Sequence, residues 1–312
     1  MSDYIASIMS RIDPSGSQIT HERLRGGMAD VFRVNLHEPD RSFILKLHPL
    51  EFAWRARKEE FILGLVEGRL PVATQACVLI DDTCTSVPRP FVLLSHLPGE
   101  ALRHWQRDPG IDGAYLKLGG VIRQFHDIKM GAYGYLRGDR IEKPYSDNAS
   151  YMAYAFERAF TNFLDLGGDT SLMRRLERAV KERMDLVAES QGPVLCHDDF
   201  HQGNVLAQRA GTAQLELTGL IDFANARAAD PLFDLAKALF CLSHEDPNSA
   251  KVVRSGYGQT DHSDVDGALW LYTLHHRVSM WAWLTRTSPG HVETPGTRDL
   301  LRDLNSMLTE SD

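Results

Sequence analysis

One stretch constrains this chain more than any other: Val194-Leu195-Cys196-His197-Asp198-Asp199-Phe200-His201-Gln202-Gly203-Asn204-Val205-Leu206. Two short apolar runs flank a block of His, Asp and Asn. Apolar runs of this length read as buried strands, so the polar block between them is a loop carried on firm backbone. The spacing His197-x-Asp199-x-x-x-x-Asn204 has a chemical reason. It sets one carboxylate to meet a hydroxyl and, further along the same loop, one neutral oxygen to hold a hard cation. The return between them must be tight, and Gly203 is expected to supply it through backbone angles that other residues avoid. On spacing alone the block also reads as a buried turn that satisfies its own hydrogen bonds. His197 and His201, with Asp198, Asp199 and Asp222, offer another reading as a metal hydrolase site. Ligands four apart converge on a helix face, however, and Phe200 to Gly203 does not begin a helix.

The periodicity on either side divides the chain. Residues 3–12 predict a short helix closed by Asp13-Pro14. Residues 18–24, 31–36 and 43–48 carry the alternation and β-branched content of strands and read as an antiparallel meander. Residues 52–66 switch to helical spacing, ended by Gly68 and Pro71. Residues 75–80 and 90–95 predict two more strands. After Pro98-Gly99 the pattern turns helical, over 114–128, 151–166, 171–188, 231–242, 268–284 and 297–308. Within it, 194–196, 205–206 and 215–222 are strand-like. The expected class is α+β: a small antiparallel sheet with one helix in residues 1–97, then a larger, mainly helical unit in residues 98–312.

Other residues extend the site. Lys46 sits in the apolar strand Phe43-Ile44-Leu45-Lys46-Leu47. A lysine there is unusual unless its charge is used or its stem reaches water. The following helix offers Glu59 or Glu60 as its partner; the distance to the Leu70-Pro71-Val72 turn selects Glu59, with Glu60 in reserve. Asp222, in Gly219-Leu220-Ile221-Asp222-Phe223, follows the loop by one hairpin and suits a second cation ligand, because Mg²⁺ takes few carboxylates beside phosphate oxygens and water. Gly26 and Gly27 lie between strands, where backbone N–H groups can approach a phosphate; two glycines in a hairpin also make a simple turn. Ser95, His96 and Leu97 lead into Pro98-Gly99, and their backbone groups are candidates for a nucleotide base, ATP or GTP. Asp230-Pro231 starts a helix. Asp234 lies one turn inside it, placed to accept hydrogen bonds from the loop backbone.

Charge and composition narrow the classes. At −8, the formal net charge argues against a nucleic-acid binder, which needs a basic footprint. It would steer a cationic small substrate, or simply keep the chain soluble. No apolar run approaches the ~20 residues that span a bilayer, and the N-terminus has no signal-peptide pattern. Cys77, Cys84, Cys196 and Cys241 show no CxxC pairing, which predicts reduced thiols and a cytoplasmic location. Tyr151, Tyr154, Phe156, Phe160 and Phe163 recur through one helix; His275, His276, Trp281 and Trp283 through a late one. Such rings would suit a cationic acceptor, although most are expected in the core. Asp147 is either an acid for that pocket or a helix cap.

The ordered set, His197-Asp198-Asp199-Phe200-His201-Gln202-Gly203-Asn204, Gly219-Leu220-Ile221-Asp222-Phe223 and Asp230-Pro231-Leu232-Phe233-Asp234-Leu235-Ala236, resembles the aminoglycoside phosphotransferase and choline kinase-like family. These are small-molecule kinases that share the two-lobe protein kinase fold. The resemblance implies Asp199 as catalytic base, Asn204 and Asp222 as Mg²⁺ ligands, Lys46 with Glu59 on the nucleotide phosphates, a hinge near Ser95 to Leu97, and His197 and Asp234 in support. The activity it implies is transfer of the γ-phosphate of ATP or GTP to a hydroxyl of a small molecule, an aminoglycoside-type or other antibiotic. The alternatives are a choline-like amine, sugar or amino alcohol as acceptor, or a nucleotide-binding module without catalysis. Two positions depart from the family pattern: Asp198, where members often have Gly, and Ala29, where they have a small polar residue. Protein kinases fit less well. Ala224 follows Asp222-Phe223, no Ala-Pro-Glu segment occurs, and the short gap from Asp222 to Asp230 leaves no room for a peptide-holding loop.

Overall fold

Strand alternation and helix capping account for most of the architecture. The computed structural model describes residues 1–24, 27–37, 40–211, 214–288 and 294–309, with Glu245 described by its backbone alone. The first half opens with α1 (Ser2–Met9), then β1 (Ile19–Leu24), β2 (Asp30–His37) and β3 (Asp40–Leu47), an antiparallel meander. Next come α2 (Trp54–Val66), β4 (Ala73–Thr74), β5 (Cys77–Asp81) and β6 (Phe91–Ser95). The sheet runs β1-β2-β3-β6-β5. Its alternation sorts the apolar side chains onto two faces. Phe32, Val34, Leu36, Phe43, Leu45 and Leu47 pack with Ile5, Ile8 and Met9 of α1. On the other face, Val92 and Leu94 meet Ala56, Ile62, Leu63 and Val66 of α2.

The second half contains β7 (Glu100–Ala101), α3 (Ile111–Phe125), β8 (Gly134–Arg137), β9 (Arg140–Ile141), α4 (Asn148–Asp165) and α5 (Thr170–Arg183). It continues with β10 (Val194–Cys196), β11 (Val205–Ala210), β12 (Gln214–Leu220) and β13 (Arg227–Ala229). It ends with α6 (Pro231–Glu245), α7 (Ser249–Tyr257), α8 (Val265–Thr287) and α9 (Pro295–Thr309). Two small sheets, β10-β13-β8-β9 and β4-β12-β11-β7, sit among these helices. The second of them includes β4, so the two halves are stitched by a parallel pairing of Ala73 with Gly219 and Thr74 with Leu220. Asp147, Asp169, Asp230 and Asp264 each accept a backbone N–H at a helix start, satisfying donors that a helix leaves orphaned. Asp147 is thus a cap.

Some elements have no clear sequence signal. The β8–β9 hairpin is too short for periodicity to show. α7 is marked by close packing: a Cβ on Gly119 of α3 would stand 2.2 Å from the Val253 carbonyl oxygen, and one on Gly256 would stand 1.9 Å from that of Leu116. Only residues without side chains let these two helices cross so tightly. No helix among the described residues is long and apolar enough to cross a membrane.

Most of the aromatic residues of α4 and α8 belong to the core. Tyr151, Phe156, Phe160, Phe163, His275, His276 and Trp281 are buried, whereas Trp283 is exposed. His275 is wedged against Phe156 and Phe233. Burial, reinforced by Arg227, pulls its pKa from 6.5 down to about 3. The folded protein therefore keeps it neutral where the unfolded chain would protonate it. That stability is complete above pH 6.5 and is lost as pH falls toward 3. The expected decline in unfolding free energy across this window should flatten in His275→Leu, by up to roughly 1.4 kcal/mol per pH unit. Identical acid limbs in the two proteins would mean that His275 is not the titrating group.

Candidate active site

β10 delivers the polar loop, β11 and β12 return as a hairpin, and Asp222 follows directly. A backbone bond of 3.0 Å from Ile221 N to the Asn204 carbonyl ties the end of the loop to the end of the hairpin. Of the three described non-glycine residues with left-handed backbone, two lie in this site, Asp198 with φ 57 and Asp222 with φ 64; the third is Cys84. Non-glycine residues seldom do so, and such positions concentrate at functional sites. Gly203 is not among the positive-φ residues. Its role is room: a Cβ there would lie 1.9 Å from the Arg103 guanidinium and 2.6 Å from the His201 ring. The loop's unusual backbone is at Asp198, and the expectation placed on Gly203 is corrected accordingly.

Lys46 Nζ stands 2.5 Å from Glu59 Oε1 and 3.2 Å from Asp222 Oδ1. The first contact joins β3 to α2, and the second joins the N-terminal sheet to the loop region. Glu60 instead faces Arg57 at 3.5 Å. Lys46 and Glu59 are buried, while the Asp222 side chain is 45% exposed. Burial alone would depress the Lys46 ammonium, yet Asp222 and Glu59 hold its pKa above the ordinary value. Lys46 is therefore a fixed cation, and it in turn lowers the pKa of Asp222.

Asp199 Oδ2 accepts from Asn225 Nδ2 at 3.1 Å. Asn204 Nδ2 donates to the Asp199 carbonyl at 3.0 Å, with a longer 3.4 Å contact to Asp199 Oδ2. Turning its amide nitrogen toward Asp199 leaves the side-chain oxygen of Asn204, Oδ1, as the candidate ligand. Asp222 has one oxygen on Lys46 and a half-exposed carboxylate. A neutral oxygen and an anionic one, both on rigid hairpin ends, fit Mg²⁺, which prefers hard oxygen donors and keeps room for phosphate and water.

The loop is held from behind. Asp234 Oδ2 accepts the His197 backbone N–H at 2.7 Å, and Oδ1 accepts that of Asp198 at 2.8 Å. His126 Nε2 lies 3.1 Å from the same carboxylate. His197 is fully buried and donates through Nε2 to the Ile221 carbonyl at 3.1 Å. Burial lowers its pKa, so the ring is a neutral tether packed between Phe200 and Phe223. His201 Nδ1 accepts from Gly203 N at 2.9 Å. The hydrolase reading of His197 and His201 is disfavoured because, among the described residues, neither belongs to a cluster of metal-ligand side chains. Among the described residues, the metal-ligand types that cluster are His126, Cys196 and Asp234, and Asp234 is already occupied by the loop.

Asp198 is buried against two cations. Arg227 Nη2 pairs with its Oδ2, and Lys237 Nζ lies 3.3 Å from its Oδ1. Burial would raise its pKa, but Arg227 and Lys237 hold it well below the usual carboxylate range. Asn225, Arg227 and Lys237 are the site residues that sequence reasoning missed. The first two lie between the Asp222 and Asp230 motifs, where no spacing rule points to them. Lys237 follows Ala236 on α6, a position that looks like an ordinary helix face.

The remaining candidates precede β7 and β2 in the chain. Gln75 Nε2 donates to the Ser95 carbonyl at 2.9 Å, His96 N donates to the Ser42 carbonyl at 3.2 Å, and Leu97 lies against Gly219 of the Asp222 segment. Gly27 is exposed in a bend before β2, with open space around its Cα. Gly26 lies outside the described residues.

The model of the phosphotransferase enzyme family matches residues 20–268 of this chain. No curated protein matches it. Among solved structures, the GDP and kanamycin complex of APH(2")-IIia is 18% identical, with 100% of each chain covered and a TM-score of 0.71. A thermostable mutant of aminoglycoside phosphotransferase APH(4)-Ia, in ternary complex with ADP and hygromycin B, is 15% identical over 98% of each chain, with a TM-score of 0.71. The macrolide 2'-phosphotransferase MphH from Brachybacterium faecium, as apoenzyme, is 16% identical over 98% of each chain, with a TM-score of 0.65. At such identities the likeness is one of fold: an antiparallel sheet unit followed by a mainly helical unit in a kinase-like arrangement.

Proposed function

This chain belongs to the phosphotransferase enzyme family, and from that premise we propose that it moves the γ-phosphate of ATP or GTP onto a hydroxyl of a small molecule, an antibiotic or a metabolite. One observation carries the reading. Lys46 is pinned between Glu59 and Asp222, beside a loop whose backbone Asp234 fixes and whose Asp199 is steadied by Asn225. Residues 1–97 and 98–312 then act as two lobes with the nucleotide between them, its base near Ser95, His96 and Leu97 and its phosphates near Gly26, Gly27 and Lys46. The four unbridged cysteines fit a reducing compartment such as the cytoplasm.

In this mechanism Lys46 neutralises phosphate charge, and Glu59 holds the ammonium in place. Asn204 and Asp222 are the residues that would hold Mg²⁺, which supplies further neutralisation of the phosphates. Asp199 orients the acceptor hydroxyl. The new bond forms between that oxygen and the γ-phosphorus as the bond to the β–γ bridging oxygen breaks, and the hydroxyl proton passes to Asp199. Because the transition state of such transfers is loose, positioning matters more than basicity.

Incubation with ATP, GTP and Mg²⁺ against aminoglycosides, macrolides, choline-like amines, sugars and amino alcohols should yield one acceptor heavier by a phosphate in mass spectra. Nucleotide binding with no product from any acceptor class would favour a module without transfer. Lys46→Met should weaken nucleotide binding about 10–100-fold, the value of one charge-assisted contact, as measured by calorimetry. Unchanged affinity would remove Lys46 from the phosphate site.

A further inference from the structure

The wall next to Asp199 carries more positive charge than this mechanism uses. Trp54 of α2 and Tyr135 of β8 meet edge to face at 6.1 Å between ring centres. Arg55, Lys58 and Arg137 lie over Trp54 at 5.2, 5.9 and 5.3 Å. Lys58 and Arg227 lie over Tyr135 at 4.0 and 5.5 Å. Lys237 joins through Asp198, which it shares with Arg227. The counter-charges are few. Asp198 serves two cations, Glu142 serves Arg137 at 3.1 Å, and Glu59, already bound by Lys46, also acts on Lys58 and Arg55. Among the described residues, Lys58 Nζ is fully buried with no hydrogen-bond partner, and Arg55 Nε has none either.

Two features place this cluster on the acceptor side of the site. Asn225, which holds Asp199, stands two residues before Arg227 on the same short segment. Lys237 also feels the Asp199 carboxylate. A buried lysine without a hydrogen-bond partner is costly to keep charged, and burial together with Arg227 and Arg55 pushes its pKa well below the ordinary value. An arriving anion would relieve that cost; an arriving cation would add to it. The two rings of this wall, Trp54 and Tyr135, already carry side-chain cations. We propose that the acceptor carries a carboxylate or phosphate group, which docks on Arg227, Lys237 and Arg55 with Lys58 behind them, and that this anchors its hydroxyl at Asp199. The proposal rests on the phosphotransfer reading and narrows its acceptor class.

The test uses the full chain saturated with Mg²⁺ and ADP, so that the nucleotide site is filled. Failure to bind ADP would count against the phosphotransfer reading; the anion titration is a separate measurement. Calorimetric titration with inorganic phosphate should show saturable binding, weakened at least tenfold in Arg55→Gln and in Lys58→Met. Arg57→Gln, on the outer side of the same helix and paired with Asp82 at 3.0 Å, should bind phosphate as the native chain does. Equal phosphate affinity in all four proteins overturns the proposal, as does binding of kanamycin without binding of phosphate. Acceptor pairs then identify the source of the anion. Glycerate over glycerol, or glucose 6-phosphate over glucose, should be favoured at least tenfold in phosphate transfer. No preference within the pairs would assign the cluster to an independent anion and overturn its role in acceptor choice.

Discussion

Asp199→Asn is expected to reduce phosphate transfer by about 10²–10⁴-fold, the usual contribution of a positioned general base, while nucleotide affinity stays within a few-fold of native. The substitution is nearly isosteric. It keeps an oxygen that can accept from Asn225, whose amide lies 3.1 Å from Asp199 Oδ2, so the loop should retain its shape. It removes the carboxylate that, in the proposed mechanism, takes the hydroxyl proton. Single-turnover kinetics beside a nucleotide titration separate the two effects. A variant that keeps most of its transfer rate on a real acceptor would place the base elsewhere. One that loses nucleotide binding as well would show that Asp199 shapes the site rather than the chemistry.

Asp234→Ala should have the largest effect on stability. The carboxylate accepts two backbone N–H groups, from His197 at 2.7 Å and Asp198 at 2.8 Å, and contacts His126 at 3.1 Å. All of these groups are buried, so removing the acceptor leaves donors with no water to replace it. A buried unsatisfied donor costs about 1–3 kcal/mol, giving a loss on the order of 4 kcal/mol for the set and a fall in Tm of roughly 10 °C. Transfer should fall too, since the loop that carries Asp199 loses its backing. Asp234→Asn is the sharper control. It keeps one acceptor oxygen but turns an amide donor toward a backbone donor. Native melting behaviour in both variants would mean that the loop is anchored by other contacts, such as the His197 tether to Ile221.

Much of the site was legible because its chemistry is compressed into short segments. His197, Asp199 and Asn204 fall within one loop, and Asp222 follows one hairpin later; spacing made them candidates, and the resemblance to a kinase family chose among the readings. Lys46 stood out because a charge in an apolar strand needs a reason, and the distance to the Leu70-Pro71-Val72 turn pointed to Glu59, with Glu60 in reserve. The boundaries of strands and long helices followed from alternation and capping. The partners of Asp198 were not legible. Arg227 comes from β13 and Lys237 from α6, and neither carries a periodic or motif signal. The same holds for Lys58, whose helix position looks like a solvated face until Tyr135 and Trp54 are folded over it.

The α+β arrangement, the polar loop between two buried strands, and the candidate residues for a hydroxyl, a phosphate and a cation could all be read from the chain before folding. These are local properties, written in spacing and in side-chain chemistry. Only the tertiary structure decided the electrostatics. It put a left-handed turn at Asp198, neutralised that carboxylate with two distant cations, and gathered Arg55, Lys58 and Arg227 around two aromatic rings. The reason is physical. A formal charge of −8 is a sum over the whole chain, whereas an acceptor meets the few charges that burial brings within a Debye length, about 10 Å. Folding can make that local field opposite in sign to the total.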